Sequence, residues 1–150
     1  MTPTFAQLVA GEGPPPKRIE GLTRTDFVQW VGALADFMSP IHYDDSAARE
    51  AGYEAPISPV MLQAGMLSEY ATEWLGAENM RRFAVRFRGV VLPGEPLVFS
   101  GRVVRKHEGD MGCQVDVELE CRRVESDDVV VSGEGTFVVD REGEDGASEG

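Results

Sequence analysis

The chain has 150 residues, 42% of them apolar and 27% charged, which is enough for one domain with its own core and no metal or disulfide staple. A net charge of −12 excludes nucleic acid as the partner, because phosphate backbones are bound by basic surfaces. No run approaches the roughly 18 apolar residues that cross a bilayer, and the N-terminus lacks the basic start and apolar stretch of a signal peptide, so a cytoplasmic protein without membrane attachment is expected.

Residues 1–17 read as an N-terminal extension. Within them Gly11–Pro16 (GEGPPP) is a turn or extended connector, since consecutive prolines cannot donate to helix or sheet. A first helix is predicted from Thr25 to about Asp36, with Asp26 in its favourable first turn and Phe27, Trp30, Val31 and Leu34 at helical spacing. Ser39-Pro40 stops that helix or forces a loop. Asp44–Ala51 predicts a short second helix closed by Gly52. Pro59 then opens a longer helix, Val60 to Leu75, ended by Gly76. Met61, Leu62, Gly65, Met66, Tyr70, Ala71 and Trp74 cover most of its circumference with small or apolar groups, which predicts a buried helix.

Beyond the helix the pattern alternates with period two: Phe83/Val85/Phe87, then Val98–Arg105, Cys113–Cys121 and Val129–Val139. Turn signals at Leu92-Pro93-Gly94, Glu108-Gly109-Asp110 and Ser126-Asp127-Asp128 separate the runs. No helices intervene, so the sheet should be antiparallel and the class α+β. Cys113 and Cys121 share a strand face with Val115, Val117 and Leu119. They are roughly 26 Å apart along one strand, so they read as buried hydrophobes and not as a disulfide or metal pair. Residues 18–139 form the expected domain. The Gly-rich tail 140–150 carries five acids and one arginine and is expected to be disordered.

The segment Ala33–Asp45, ALADFMSPIHYDD, resembles the hydratase motif of MaoC-like proteins, in which an Asp is followed closely by Asn-Pro-Ile/Leu-His and an acidic pair. The likeness continues through Leu22-Thr-Arg-Thr-Asp-Phe-Val, the helix Ala47–Gly52, the Met61-Leu-Gln-Ala-Gly helix, Trp74-Leu-Gly, and the strand Arg82–Arg88 followed by Pro93-Gly94. It spans roughly residues 18–139 and is similar to the actinobacterial dehydratase members in particular. This resemblance implies a single hot-dog fold, in which an antiparallel sheet wraps a long central helix, usually in a dimer. It also implies hydration of a trans-2-enoyl thioester, or dehydration of the 3-hydroxyacyl form, carried on coenzyme A or an acyl carrier protein, with no metal or redox cofactor.

Residue by residue, the resemblance assigns catalysis to Asp36 and His42 and substrate orientation to Ser39 and Val60. Ser39 stands where the family usually has Asn. Val60 stands where it often has a Gly whose backbone N–H binds the thioester oxygen. Three residues separate Asp36 from Pro40, where the family has two. Counting back from His42 puts Phe37 at the acid position; the ungapped upstream match keeps Asp36 there and makes the loop one residue longer. The chemistry suits these groups. Imidazole titrates near neutrality, a carboxylate can orient water, and a helix N-terminus offers free N–H groups to a developing enolate.

The run Arg81–Arg88 (RRFAVRFR) places Arg82, Arg86 and Arg88 on the strand face opposite Phe83, Val85 and Phe87. Arg86 and Arg88 read either as a solvated face or as contacts to the carrier's phosphate. Asp44 and Asp45 read as helix-starting residues, and His107 beside its turn as a solvated one. Two further functions fit the altered loop: a repurposed enzyme such as an isomerase or cyclase, and the structural half of a heteromeric dehydratase. A homodimer is the expected assembly, with a heterodimer of two hot-dog chains as the alternative.

Overall fold

The computed structural model describes residues 1–142, so most of the expected acidic tail lies outside the described residues. Five strands and three helices follow in the order β1 (Lys17–Ile19), α1 (Arg24–Leu34), a 3-10 turn at Pro40–His42, α2 (Asp45–Glu50), α3 (Val60–Leu75), β2 (Met80–Phe87), β3 (Leu97–Gly109), β4 (Gly112–Arg123) and β5 (Val129–Val138). The strands make one sheet in the order β1-β3-β4-β5-β2, antiparallel throughout. The α+β class and the long helix against an antiparallel sheet are as expected.

Alternation along β4 explains the core. Cys113, Val115, Val117, Leu119 and Cys121 all point to the buried face, as the period-two pattern requires. Both cysteines are free, and burial pushes the Cys121 thiol up to about 12, so it behaves as an inert hydrophobe. Against this face α3 lays Leu67, Tyr70, Ala71 and Leu75, all buried. The close approach depends on strand glycines. A Cβ at Gly133 would stand 3.1 Å from Leu67 Cδ2, and one at Gly101 only 2.7 Å from Leu119 Cδ2. Full burial of a side chain such as Leu67 stabilises the fold by roughly 2–3 kcal/mol.

The sheet covers one side of α3 and leaves the other open. Met61, Gly65, Glu69 and Glu73 are exposed in the single chain, so the expectation of an all-round buried helix is corrected. One sheet can shield only one helix face, and the two glutamates on the far side accept that arrangement.

The N-terminal segment is not a free extension. Gly11 N–H donates to Val103 O, Val103 N–H donates to Glu12 O, and Leu8 enters the core. Lys106 donates through Nζ to Leu8 O at 2.6 Å and lies 4.5 Å from the centre of the Phe5 ring. Together with β1, which the period-two reading missed because it is only three residues long, this segment covers the outer edge of β3. At the opposite side of the sheet β2 pairs with β5, and among the described residues no strand covers its other edge. His107 is a second correction. Its side chain is 32% exposed, but Nδ1 is enclosed with no hydrogen-bond partner among the described residues, 3.7 Å from Asp116 Oδ2 on β4.

Candidate active site

Two local stops shape the segment that carries the motif. Thr23 and Asp26 close a capping box at the start of α1, and the two hydrogen bonds from Thr23 hold the Asp26 carboxyl below its usual range. At the other end Ala35 takes a left-handed conformation, φ 53°, which ends α1 at Leu34 and turns the chain before Asp36. The helix therefore stops two residues short of the predicted end. Arg24 at the start of α1 makes a bidentate pair with Asp45 at the start of α2, at 2.8 and 2.9 Å, and that hydrogen-bonded pairing depresses the Asp45 carboxyl. Asp44 caps α2 by accepting from Ala47 N–H, so both acids of the motif act structurally.

The additional residue between Asp36 and Pro40 is taken up by a turn whose tip is Phe37-Met38. Both side chains face solvent, with Met38 at 91% exposure, and Tyr43 Oη donates to Phe37 O across the turn. Asp36 therefore keeps a polar partner: Ser39 Oγ donates to its Oδ1 at 3.1 Å. Ser39 is also joined to His42, whose backbone N–H donates to Ser39 O at 3.3 Å. Phe37, the alternative at the acid position, offers no polar group.

His42 is half-buried, and its Nδ1 lies 2.8 Å from Ile57 O. A carbonyl can only accept, so this contact requires the proton on Nδ1, and whenever the ring is neutral Nε2 is the nitrogen without one. The segment supplying that carbonyl is fixed on both sides: Ile57 N–H donates to Ile41 O, and Ser58 N–H donates to Val91 O. Three residues beyond Ile57, Val60 opens α3. Pro59 is the N-cap and provides no capping side chain; Leu62 N–H donates to Pro59 O at 2.9 Å, and the Val60 and Met61 N–H groups have no acceptor among the described residues. Val60 is half-buried. Around this helix start the structure shows a pair that pattern reading passed over. Ser58 is fully buried, Gln63 is 2% exposed, and Gln63 Nε2 donates to Ser58 Oγ. A Gln interrupting the apolar face of a buried helix was the available signal.

Arg86 and Arg88 lie elsewhere, on the face of the sheet away from α3. Arg86 stands opposite Ser132, and Arg88 Nε donates to Ser132 Oγ at 3.3 Å. They line a depression of about 410 Å³ together with Arg82, Glu118, Glu120 and Glu134. The three acids there pair with Arg102, Arg122 and Arg82. Hydrogen bonds join Asp36 to Ser39 and Ser39 to His42, and His42 to Ile57, three residues before Val60, while Arg86 and Arg88 stand apart on the sheet. No group of three or more His, Cys, Asp or Glu able to hold a metal occurs among the described residues, and none of their helices is long and apolar enough to cross a membrane.

A family model described as a MaoC like domain matches residues 12–124. None of the curated proteins matches the chain. Among solved structures, the ChsH1–ChsH2 complex from Mycobacterium tuberculosis is similar at 20% identity and TM-score 0.74, covering 87% of this chain and 98% of the other. R-hydratase PhaJ1 from Pseudomonas aeruginosa matches at 19% identity and TM-score 0.75, over 93% of this chain and 86% of that one. The (R)-hydratase from A. caviae involved in PHA biosynthesis matches at 18% identity and TM-score 0.70, over 85% and 96%. These likenesses show the hot-dog fold.

Proposed function

The chain belongs to the MaoC-like domain family, and from that premise we propose that it is a hydro-lyase acting on trans-2-enoyl and 3-hydroxyacyl thioesters. The observation that carries this reading is the contact of His42 Nδ1 with Ile57 O, three residues before the start of α3, which in the neutral ring leaves Nε2 as the base. In the hydration direction His42 Nε2 draws a proton from water as the water oxygen bonds to Cβ, while Asp36 orients that water. The electrons of the C=C bond move onto the thioester oxygen, where the first-turn N–H groups at Val60 and Met61 stabilise the enolate. The proton returns to Cα as the enolate collapses. One C–O and one C–H bond form, and the protein ends in its starting charge state.

The substrate is carried by coenzyme A or an acyl carrier protein, and Arg86 and Arg88 meet the carrier's phosphate. Neither has a carboxylate partner among the described residues, which supports this, since the acids lining the same depression pair with other arginines. The uncovered edge of β2 and the exposed Leu34, Phe37, Met38 and Met61 support a dimer. A second copy is its first reading and a different hot-dog chain its second, which the likeness to a two-chain complex favours. Light scattering together with co-purification separates the two.

The test follows loss of enoyl-thioester absorbance with crotonyl-CoA and longer enoyl-CoA. The expected result is turnover by wild type and loss in folded Asp36→Asn and His42→Ala. Full activity in Asp36→Asn would remove the acid from the site. A folded wild type inert on every enoyl thioester, alone and with a co-purifying partner, would overturn the hydro-lyase reading.

A further inference from the structure

We propose that Gln63 is a positioning residue, which fixes the tautomer and aim of His42 through Ser58 and Ile57. The kinetic part of this inference rests on the hydro-lyase reading; its structural part does not.

The segment Ala55–Pro59 has few means of holding its own shape. Two of its residues are proline and have no N–H, and its N-cap supplies no side-chain bond to the helix. Its backbone is held by Ile57 N–H to Ile41 O at 3.1 Å and Ser58 N–H to Val91 O at 2.8 Å. α3 is tied to this segment by Leu62 N–H to Pro59 O at 2.9 Å and, through side chains, by the hydrogen bond from Gln63 Nε2 to Ser58 Oγ. Both side chains are almost wholly buried, so no water competes for the bond, and breaking it strands a polar group in the core. The next carbonyl back along the chain is that of Ile57, the acceptor for His42 Nδ1.

The chain of contacts therefore runs Gln63, Ser58, Ile57, His42. It couples the first turn of α3, which would meet the thioester oxygen, to the imidazole that would meet the water. Both groups must be placed relative to one substrate, and the buried amide adds the side-chain contact between α3 and the segment that carries the Ile57 carbonyl. A Leu at position 63 would satisfy the apolar packing of the helix but provide no such registration. That is the reason to assign the Gln a role beyond packing.

The experiment is nitrogen NMR of the histidine side chains in full-length wild type, Gln63→Leu and Ser58→Ala, paired with kinetics on crotonyl-CoA. Wild type should show His42 as a single Nδ1-protonated tautomer at pH values where the ring is neutral. In both variants the His42 signals should move toward the mixed tautomers of free imidazole. If wild type turns over, kcat should fall on the order of tenfold to a hundredfold with KM nearly unchanged, since misplacement of a reacting group acts on the chemical step. Gln63→Asn, which keeps the amide but shortens the reach, should fall between wild type and Leu. Ser58→Ala removes one oxygen and keeps the proposal testable if Gln63→Leu fails to fold. A folded variant with wild-type His42 signals would overturn the inference. Altered signals in a protein inert on all enoyl thioesters would uphold the positioning chain and overturn only the hydro-lyase reading.

Discussion

His42 and Asp36 sit six residues apart and are held in opposite ways. His42 is half-buried, with one ring nitrogen committed to a backbone carbonyl whose segment is tied to the 3-10 turn and to Val91. Asp36 is exposed, follows a left-handed residue, and has the Ser39 hydroxyl as its side-chain partner. The difference teaches that His42, the proposed base, is oriented by the fold of a single chain. Asp36 stands on a loop whose apolar tip, Phe37-Met38, still faces water. Covering that tip is what the proposed partner chain would do.

The comparison breaks most visibly at the base. His42→Ala should lower kcat/KM by about a thousandfold without loss of folding, as expected for removal of a general base; steady-state kinetics with a melting curve checks both. The platform under the site should be nearly as sensitive in stability. Leu67→Ala empties a fully buried position against Gly133 and should cost about 3 kcal/mol in urea unfolding. Asp36→Asn should lower kcat/KM by about a hundredfold, less than the His42 change, because its loop holds the carboxylate less firmly.

A smaller effect sharpens the contrast with the sheet, where Asp116 is rigidly placed. Burial raises its carboxyl, but hydrogen bonds from Thr136 and Arg105 outweigh that and hold it below the ordinary value. A lowered folded-state value adds stability above the unfolded value and loses it as pH falls through the folded one. Asp116→Asn should therefore shrink the stability difference between about pH 7 and about pH 3 by about 1 kcal/mol, read from denaturation midpoints. The smallest change is at the loop's hinge. Ala35→Gly relieves a left-handed residue at the end of α1 and should stabilise by about 0.5 kcal/mol in the same assay, with activity retained if Asp36 keeps its direction.

Much of this was legible in the sequence. The limits of α3 follow from Pro59 and Gly76, and the buried face of β4 from strict alternation through the two cysteines. His42 and Asp36 could be named because the motif is local and its neighbours keep their order. Gln63 left only the signal of a Gln on an apolar helix face, because the course of the non-helical segment that brings Ser58 to it is not set by local patterning. For His107, a neighbouring turn signal says nothing about Asp116 on β4 standing beside its Nδ1.

What the sequence determined by itself was periodic or covalently near: helix ends, strand faces, the order of the motif and the sign of the surface. Each depends on residues within one or two turns or pleats, where local sterics and capping decide. Only the tertiary structure decided which nitrogen of His42 is free, how the lengthened loop keeps Asp36 beside Ser39, that residues 5–17 cover one sheet edge, and that Arg86 and Arg88 lie across the sheet from the site. Those outcomes depend on contacts between segments far apart in the chain, where burial and hydrogen-bond satisfaction override any local preference.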